Sequence, residues 1–159
     1  MNYHVTIKGI RNAKGYEFPI KGLNELIDGK IYNPRTRKYT NPIKNANDSI
    51  CFKNIYRDLV VKKVVLKTPI RCHYKVYTQD KKHDRGNLYA AVEKSFLDAL
   101  QKAKCLSNDT WDNVYDSTFE SFLERQNPRV EIDIEEVDVE KETKDKIYQR
   151  KWRKDGLDI

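Results

Sequence analysis

The fold is decided by residues 70–103, IRCHYKVYTQDKKHDRGNLYAAVEKSFLDALQKA, in which one hydrophobic period gives way to another. Apolar side chains occupy alternate positions from Ile70 to Val76, which is the period of a half-buried strand. A charged turn follows, from Gln79 to Gly86. From about Leu88 to Ala103 the apolar residues recur every three or four positions. That spacing predicts a helix with one buried face, made of Leu88, Val92, Phe96 and Ala99.

The flanking segments extend this strand–helix pattern. Alternation over residues 3–7 and 130–134 predicts two further strands. Residues 42–60 show a helical period that begins at a proline, a residue favoured in the first helical turn. The expected buried face of that helix consists of Ile43, Ala46, Ile50 and Ile55. Residues 114–123 fit a strand or a helix equally well.

Residues 16–39 carry several cations and contain the helix-breaking residues Pro19, Gly22, Gly29 and Pro34. They are predicted to be irregular. Together the elements predict one α/β (α+β) domain over residues 1–138, with helices packed on a small mixed sheet. Residues 139–159 are almost entirely charged. They are predicted to form a C-terminal tail, either a docked amphipathic helix or a solvated segment.

Composition narrows the class of partner. The net charge is +7, which favours a polyanion, with nucleic acid first and an anionic membrane second. A merely charged surface is the alternative. The sequence has neither a signal-peptide pattern nor an apolar run long enough to span a bilayer, so a cytoplasmic location without membrane insertion is expected. The three cysteines form no CxxC pair and are predicted to be buried, reduced thiols. The three scattered histidines are not expected to bind metal.

Carboxylates stand on both sides of the predicted helix. Asp80 and Asp84 precede it, and Asp109 and Asp112 follow it. If the loop after the helix folds back, the two groups meet and could hold Mg²⁺, which prefers oxygen ligands. The alternative for Asp84 is a helix N-cap, the commoner role of an acidic residue just before a helix. Nearby cations would hold a DNA backbone. They are Arg35, Arg37, Lys38, Lys81, Lys82 and Arg85.

The central stretch resembles the signature of the RusA family of Holliday-junction resolvases, in its phage and Gram-positive form. The matching positions are Asp84, Asn87, Lys94, Asp98-Ala-Leu100 and Asn108-Asp109. Weaker similarity in the flanks extends the resemblance over most of residues 1–137. It implies a homodimeric, Mg²⁺-dependent endonuclease that resolves four-way DNA junctions in DNA recombination and repair, in a bacterial host and of phage or prophage origin.

Carried onto this chain, the resemblance implies that Asp84 and Asp109 are catalytic metal ligands. It also implies that Lys94 contacts phosphate near the scissile bond. One position departs from the pattern, because Gly86 stands where the family has its second aspartate. Asp80, Asp112 or a water could replace the missing ligand. Cleavage is therefore expected to be weak while DNA binding survives. The alternative function is a cleavage-deficient branched-DNA-binding protein, or a regulatory module on the same fold.

Overall fold

The computed structural model describes residues 1–82, 84–110 and 112–143. Residues 139–143 are helical. The other elements are, in chain order, β1 (Asn2–Lys8), β2 (Ile10–Asn12), β3 (Gly15–Glu17), α1 (Leu23–Asp28), β4 (Ile31–Asn33), β5 (Lys38–Thr40), α2 (Pro42–Ile55), a π-helical turn (Tyr56–Val60), β6 (Ile70–Thr78), α3 (Arg85–Lys102), β7 (Val114–Leu123) and β8 (Arg129–Glu136).

A four-stranded mixed sheet with the strand order β1-β8-β6-β7 organises the fold. β8 pairs antiparallel with both β1 and β6, whereas β6 and β7 are parallel. Their register runs from Ile70 opposite Val114 to Thr78 opposite Leu123. Two parallel neighbours require a crossover connection, and α3 supplies it. The predicted α+β class is confirmed.

The core lies between the helices and one face of this sheet. Alternate residues of β6 and β8 are fully buried, as the alternation in the sequence predicted. Tyr74 sits at the centre, with its ring edge-on to Phe96 of α3 at 5.9 Å and stacked on Phe119 of β7 at 4.8 Å. The predicted buried face of α3 is confirmed at all four positions. The helix therefore packs on the sheet through large side chains.

The boundaries of α3 differ from the sequence-based expectation, and the type of β7, which the sequence left open, is settled. The helix begins at Arg85, because the Asp84 side chain accepts a hydrogen bond from the Asn87 backbone N–H at 3.0 Å and caps the first turn. The N-cap alternative for Asp84 is thus observed. Residues 114–123, which fitted either structure, form a strand because β6 offers them a parallel partner.

The expectation that residues 16–39 are irregular is wrong. The segment begins within β3, whose partner β2 precedes it, and it contains α1 and nearly all of the β4–β5 hairpin. Gly22 and Gly29 do not interrupt a helix; they are the N-cap and C-cap residues of α1. A six-residue helix is too short to show a clear hydrophobic period, which is why the pattern did not reveal it.

The predicted buried face of α2 is also partly wrong. Ala46 is exposed, and the buried positions include Asn47 and Asn54. Asn47 accepts a hydrogen bond from the Lys21 backbone N–H at 2.9 Å and donates to the Lys21 carbonyl at 3.0 Å. Asn54 donates to the Ile50 carbonyl at 2.7 Å. Asparagine can be buried when its amide group is hydrogen-bonded, but it is not counted as an apolar residue in a hydrophobic period. The period therefore placed the buried face of α2 incorrectly.

The remaining composition-based predictions concern cysteine, histidine and membrane segments. All three cysteines are free and buried, as predicted. Burial raises the pKa of Cys72 to about 12. His4 and His73 lie on the sheet face away from the helices, where each hydrogen-bonds a carboxylate of β8. His83 lies outside the described residues. None of the helices described here combines the length and the apolar character needed to cross a membrane.

Candidate functional site

Residues 30–40 form a β-hairpin in which every residue is exposed; we call it the hairpin arm. β4 and β5 pair in antiparallel register, with Tyr32 opposite Tyr39. Asn33 shapes the turn, because its side-chain oxygen accepts from the Arg35 N–H at 3.0 Å and its carbonyl accepts from the Arg37 N–H at 2.8 Å. Arg37 takes a left-handed conformation, with φ of 55°. The arm is a locally closed structure that extends from the core.

The charge of the arm has one sign. Lys30, Arg35, Arg37 and Lys38 lie on it, and no aspartate or glutamate occurs anywhere in residues 29–47. Cations of the core domain are placed differently: Arg57 and Arg71, for example, are paired with carboxylates. The arm therefore presents a positive surface without carboxylates of its own, the kind that attracts phosphate groups.

Two tyrosines give the arm an aromatic face. The rings of Tyr32 and Tyr39 are 5.1 Å apart between centroids and tilted by 51°. They remain 49% and 70% exposed. Because the two residues are directly opposite in the register, their side chains project from the same face of the hairpin. Large aromatic side chains are usually buried, so an exposed pair beside four cations suggests a binding surface.

Asn41 fixes the base of the arm. Its amide nitrogen donates to the Leu26 carbonyl of α1 at 2.6 Å, and its oxygen accepts from the Lys44 N–H of α2 at 3.1 Å. Gly29 lies against it, and a Cβ added there would be only 2.8 Å from the Asn41 side-chain oxygen. One side chain thus holds together the two helices from which the strands of the arm emerge.

Lys94 lies near this base. Its ammonium group is 3.2 Å from Asp98, which also accepts from Lys44 at 3.0 Å. Lys44 in turn pairs with Asp48. Burial lowers the pKa of Lys44, but its bonds to the two aspartates outweigh burial and raise the pKa above its ordinary value. Lys94 remains 59% exposed, but the two aspartates balance the charge of the two lysines, so this cluster adds no net positive charge to the arm.

A second basic region lies at the carboxyl ends of β6 and β7. The loop between β6 and α3 carries Lys81 and Lys82, and Arg85 begins the helix. Gln79 anchors this loop by donating to the backbone carbonyls of Tyr16 at 2.6 Å and Arg125 at 3.3 Å. A cleft of about 220 Å³ opens between the loop and the end of β7. The predicted cations of the loop therefore share one end of the molecule.

The predicted acidic residues do not come together. Asp80 and Asp84 follow the end of β6. Asp80 accepts the Lys82 N–H of the same loop, and Asp84 accepts the Asn87 N–H in the first turn of α3. Asp109 and Asp112 are exposed in the loop that leads to the start of β7. This second loop is fixed at the amino ends of β6 and β7, because the Asn113 carbonyl accepts a hydrogen bond from the Ile70 N–H at 2.8 Å.

The separation follows from the length of α3. An 18-residue helix is about 27 Å long at a rise of 1.5 Å per residue, and Asp84 and Asp109 lie beyond its two ends. The loop after the helix does not fold back. The structure therefore does not bring these two carboxylates together within a chain, and metal binding by either of them stays a prediction. Among the described residues, no three His, Cys, Asp or Glu side chains form a group that could hold a metal ion.

Comparison with known proteins identified no relative: the chain matches no family model, and no curated protein matches it.

Three residues of this surface, Tyr32, Tyr39 and Asn41, were not predicted from the sequence. The cations of the arm were predicted, but within an irregular loop. A usable signal was present: Asn33-Pro34 is a turn pair, and it stands between two short segments containing isoleucine, tyrosine and threonine. That pattern is typical of a hairpin, and it would have placed both tyrosines on one face.

Proposed function

We propose that this chain is a DNA-binding protein whose hairpin arm is the principal contact with a branched DNA substrate. The observation that carries the proposal is the arm itself: eleven successive exposed residues with four cations and no carboxylate. Phosphate contacts supply most of the affinity in nonspecific DNA binding, and they require cations that carboxylates do not neutralise. Lys81, Lys82 and Arg85 provide a second contact region.

The preference for branches and the dimeric state rest on the resemblance to the RusA family. In a homodimer two arms would be available to one four-way junction, so dimer formation would increase the apparent affinity through bivalent binding. Light scattering coupled to gel filtration measures this directly. A chain that remains monomeric both alone and on a four-way junction would refute the dimeric part of the proposal.

The DNA-binding proposal is tested by removing two cations of the arm. Arg35→Ala with Arg37→Ala should weaken binding to a four-way junction and reduce the log–log salt slope by roughly 1.8, about 0.9 for each phosphate that the variant no longer neutralises. The matched control is Lys62→Ala with Lys67→Ala, which removes the same charge from an exposed loop before β6. If both pairs weaken binding equally, net charge and not the arm is responsible.

Mg²⁺-dependent cleavage of junctions is the second candidate function. It is supported by the loop before α3, where Asp80 and Asp84 stand among Lys81, Lys82 and Arg85. Because Asp109 lies at the other end of α3, a nuclease site at this loop would depend on Asp84 and not on Asp109. Incubation of a four-way junction with Mg²⁺ tests this. Asp84→Asn should abolish cleavage and Asp109→Asn should leave it unchanged; absence of cleavage by the unmodified chain removes this candidate.

A further inference from the structure

We infer that Tyr32 and Tyr39 form a stacking surface for unpaired bases, so that the hairpin arm distinguishes DNA containing unpaired bases from fully paired duplex. The inference rests on the proposed DNA binding and names the part of the substrate that the arm contacts. It concerns neither the residues near Asp84 nor the chemistry of cleavage.

The geometry of the pair supports stacking with an external ring. The two tyrosines project from one face of the arm, whereas Asn33 and Lys38 form the neighbouring cross-strand pair and project from the other. A tilt of 51° prevents the two rings from covering each other's faces. Each ring consequently keeps aromatic surface exposed to solvent, as the exposed fractions of 49% and 70% show.

Tyr56, an exposed aromatic residue outside the arm, has different surroundings. Tyr56 is 52% exposed, but its ring lies 6.4 Å from that of Phe52 on the preceding helical turn, and Asp58 follows two residues later. The tyrosines of the arm have neighbours along the chain that are cations and not carboxylates. That charge favours a nucleic acid over an apolar or basic protein surface as the occupant.

The positions of the cations fit a strand that passes along the aromatic face. Arg35 and Arg37 lie in the turn at the tip, and Lys30 lies at the base, so positive charge flanks both ends of the tyrosine pair. Proteins that bind single strands combine these two elements, with cations along the backbone and aromatic rings under the bases. Bases in a continuous duplex are already stacked on each other, so only unpaired bases offer a free face.

The test uses the full chain and three DNA probes of equal length: a duplex, the same duplex with a run of unpaired thymines, and the single strand. Tyr32→Val with Tyr39→Val removes both rings but keeps a β-branched cross-strand pair, which preserves the hairpin. Tyr32→Phe with Tyr39→Phe keeps both rings. Tyr56→Val is the matched control at an exposed tyrosine outside the arm.

The valine variant should bind the two probes with unpaired bases roughly tenfold or more weakly, while duplex binding changes by less than about twofold. The phenylalanine variant and the control should bind like the unmodified chain. A 2-aminopurine in the unpaired run should show a fluorescence change on binding that is absent with the valine variant.

An equal fall in affinity on all three probes, or no fall on any, would overturn the stacking role while leaving DNA binding intact. If the unmodified chain binds none of the probes at low salt, the proposed function itself fails.

Discussion

Asn41 shows how one side chain can fix the base of an exposed hairpin. It caps α2 and simultaneously holds the end of α1, so both strands of the hairpin arm start from fixed points. A two-stranded hairpin is only marginally stable in water by itself. The arm therefore depends on this base for its orientation.

Asn41→Ala should lower the free energy of unfolding by about 1–2 kcal/mol, because it removes an N-cap and leaves the Leu26 carbonyl without its amide donor. Urea denaturation followed by circular dichroism measures the change. Asn45→Ala, at an exposed position one turn later in α2, is the control and should change stability by less than about 0.5 kcal/mol. Equal effects at the two positions would refute the role of Asn41 at the base of the arm.

Gly86 stands where the RusA family, which the sequence resembles, has an aspartate, and the structure has space for an aspartate side chain there. The residue lies in the first turn of α3, and an added Cβ would be 3.5 Å from an Asp84 carboxylate oxygen, an ordinary contact. Gly86→Asp should raise the melting temperature by a few degrees, because glycine costs a helix roughly 1 kcal/mol and an acid suits its N-terminus. A lower melting temperature would show that repulsion from Asp84 dominates. If a cleavage site lies at this loop, the same substitution should also increase junction cleavage.

At the scale of elements, β1 illustrates how a strand at the sheet edge is covered. β8 pairs with one side of β1, and polar side chains from α2 and the π-helical turn bond to the other side. The Thr6 N–H donates to Asp58 at 2.9 Å, and the Thr6 carbonyl accepts from Arg57 at 2.7 Å. Covering an edge in this way prevents it from pairing with another chain.

This edge should make stability depend on pH. Burial opposes ionisation of Asp58, but the hydrogen bonds from Arg57 and Thr6 outweigh it and hold the pKa of Asp58 below its ordinary value. The stabilisation is therefore complete above the unfolded-state pKa of about 3.9 and disappears as the pH falls through the lower folded-state pKa.

Asp58→Ala should cost about 2 kcal/mol at pH 7, and the difference from the unmodified chain should shrink as the pH falls below about 4. Urea denaturation at a series of pH values measures it. Asp112→Ala, at an exposed position before β7, is the control and should show no such dependence. A cost that stays constant down to low pH would mean that the charge of Asp58 contributes nothing.

The elements that sequence predicted well are those whose hydrophobic period matches their burial. The alternation in β6 and β8 and the apolar face of α3 reflect side chains that meet the core directly. Prediction failed where polar groups are buried, as with the two asparagines of α2. It also failed where an element is short and exposed, as with α1 and the hairpin arm, because such elements bury too few side chains to impose a period.

At the scale of the whole molecule, the parallel pairing of β6 with β7 decides what the acidic residues can do. A helix that connects two parallel strands carries the chain from the carboxyl end of the first strand back to the amino end of the second. The loops at its two ends therefore lie apart. Residue spacing located both acidic loops correctly, but it contained no information on strand direction. The shared metal site was predicted from a fold-back that this topology does not allow.

The last test is deletion of the C-terminal tail. The tail is rich in charged residues, whereas the described core is built from the residues that precede it. Among the residues that the structure describes, the buried ones lie at positions 5–134, and β8 ends at Glu136. Removal of residues 139–159 should therefore leave the chain folded, with a melting temperature lowered by a few degrees at most. The Arg71–Glu142 bond at 3.1 Å is the interaction at risk. A second variant that lacks only residues 144–159 retains this bond and isolates its contribution.

Both deletions also remove positive charge. Residues 144–159 contain six lysines and arginines but only three aspartates, so DNA binding should weaken and its salt slope should fall. If deletion instead abolishes soluble expression, the core requires apolar residues of the tail such as Ile147 and Trp152, and the tail cannot be treated as separate from residues 1–138.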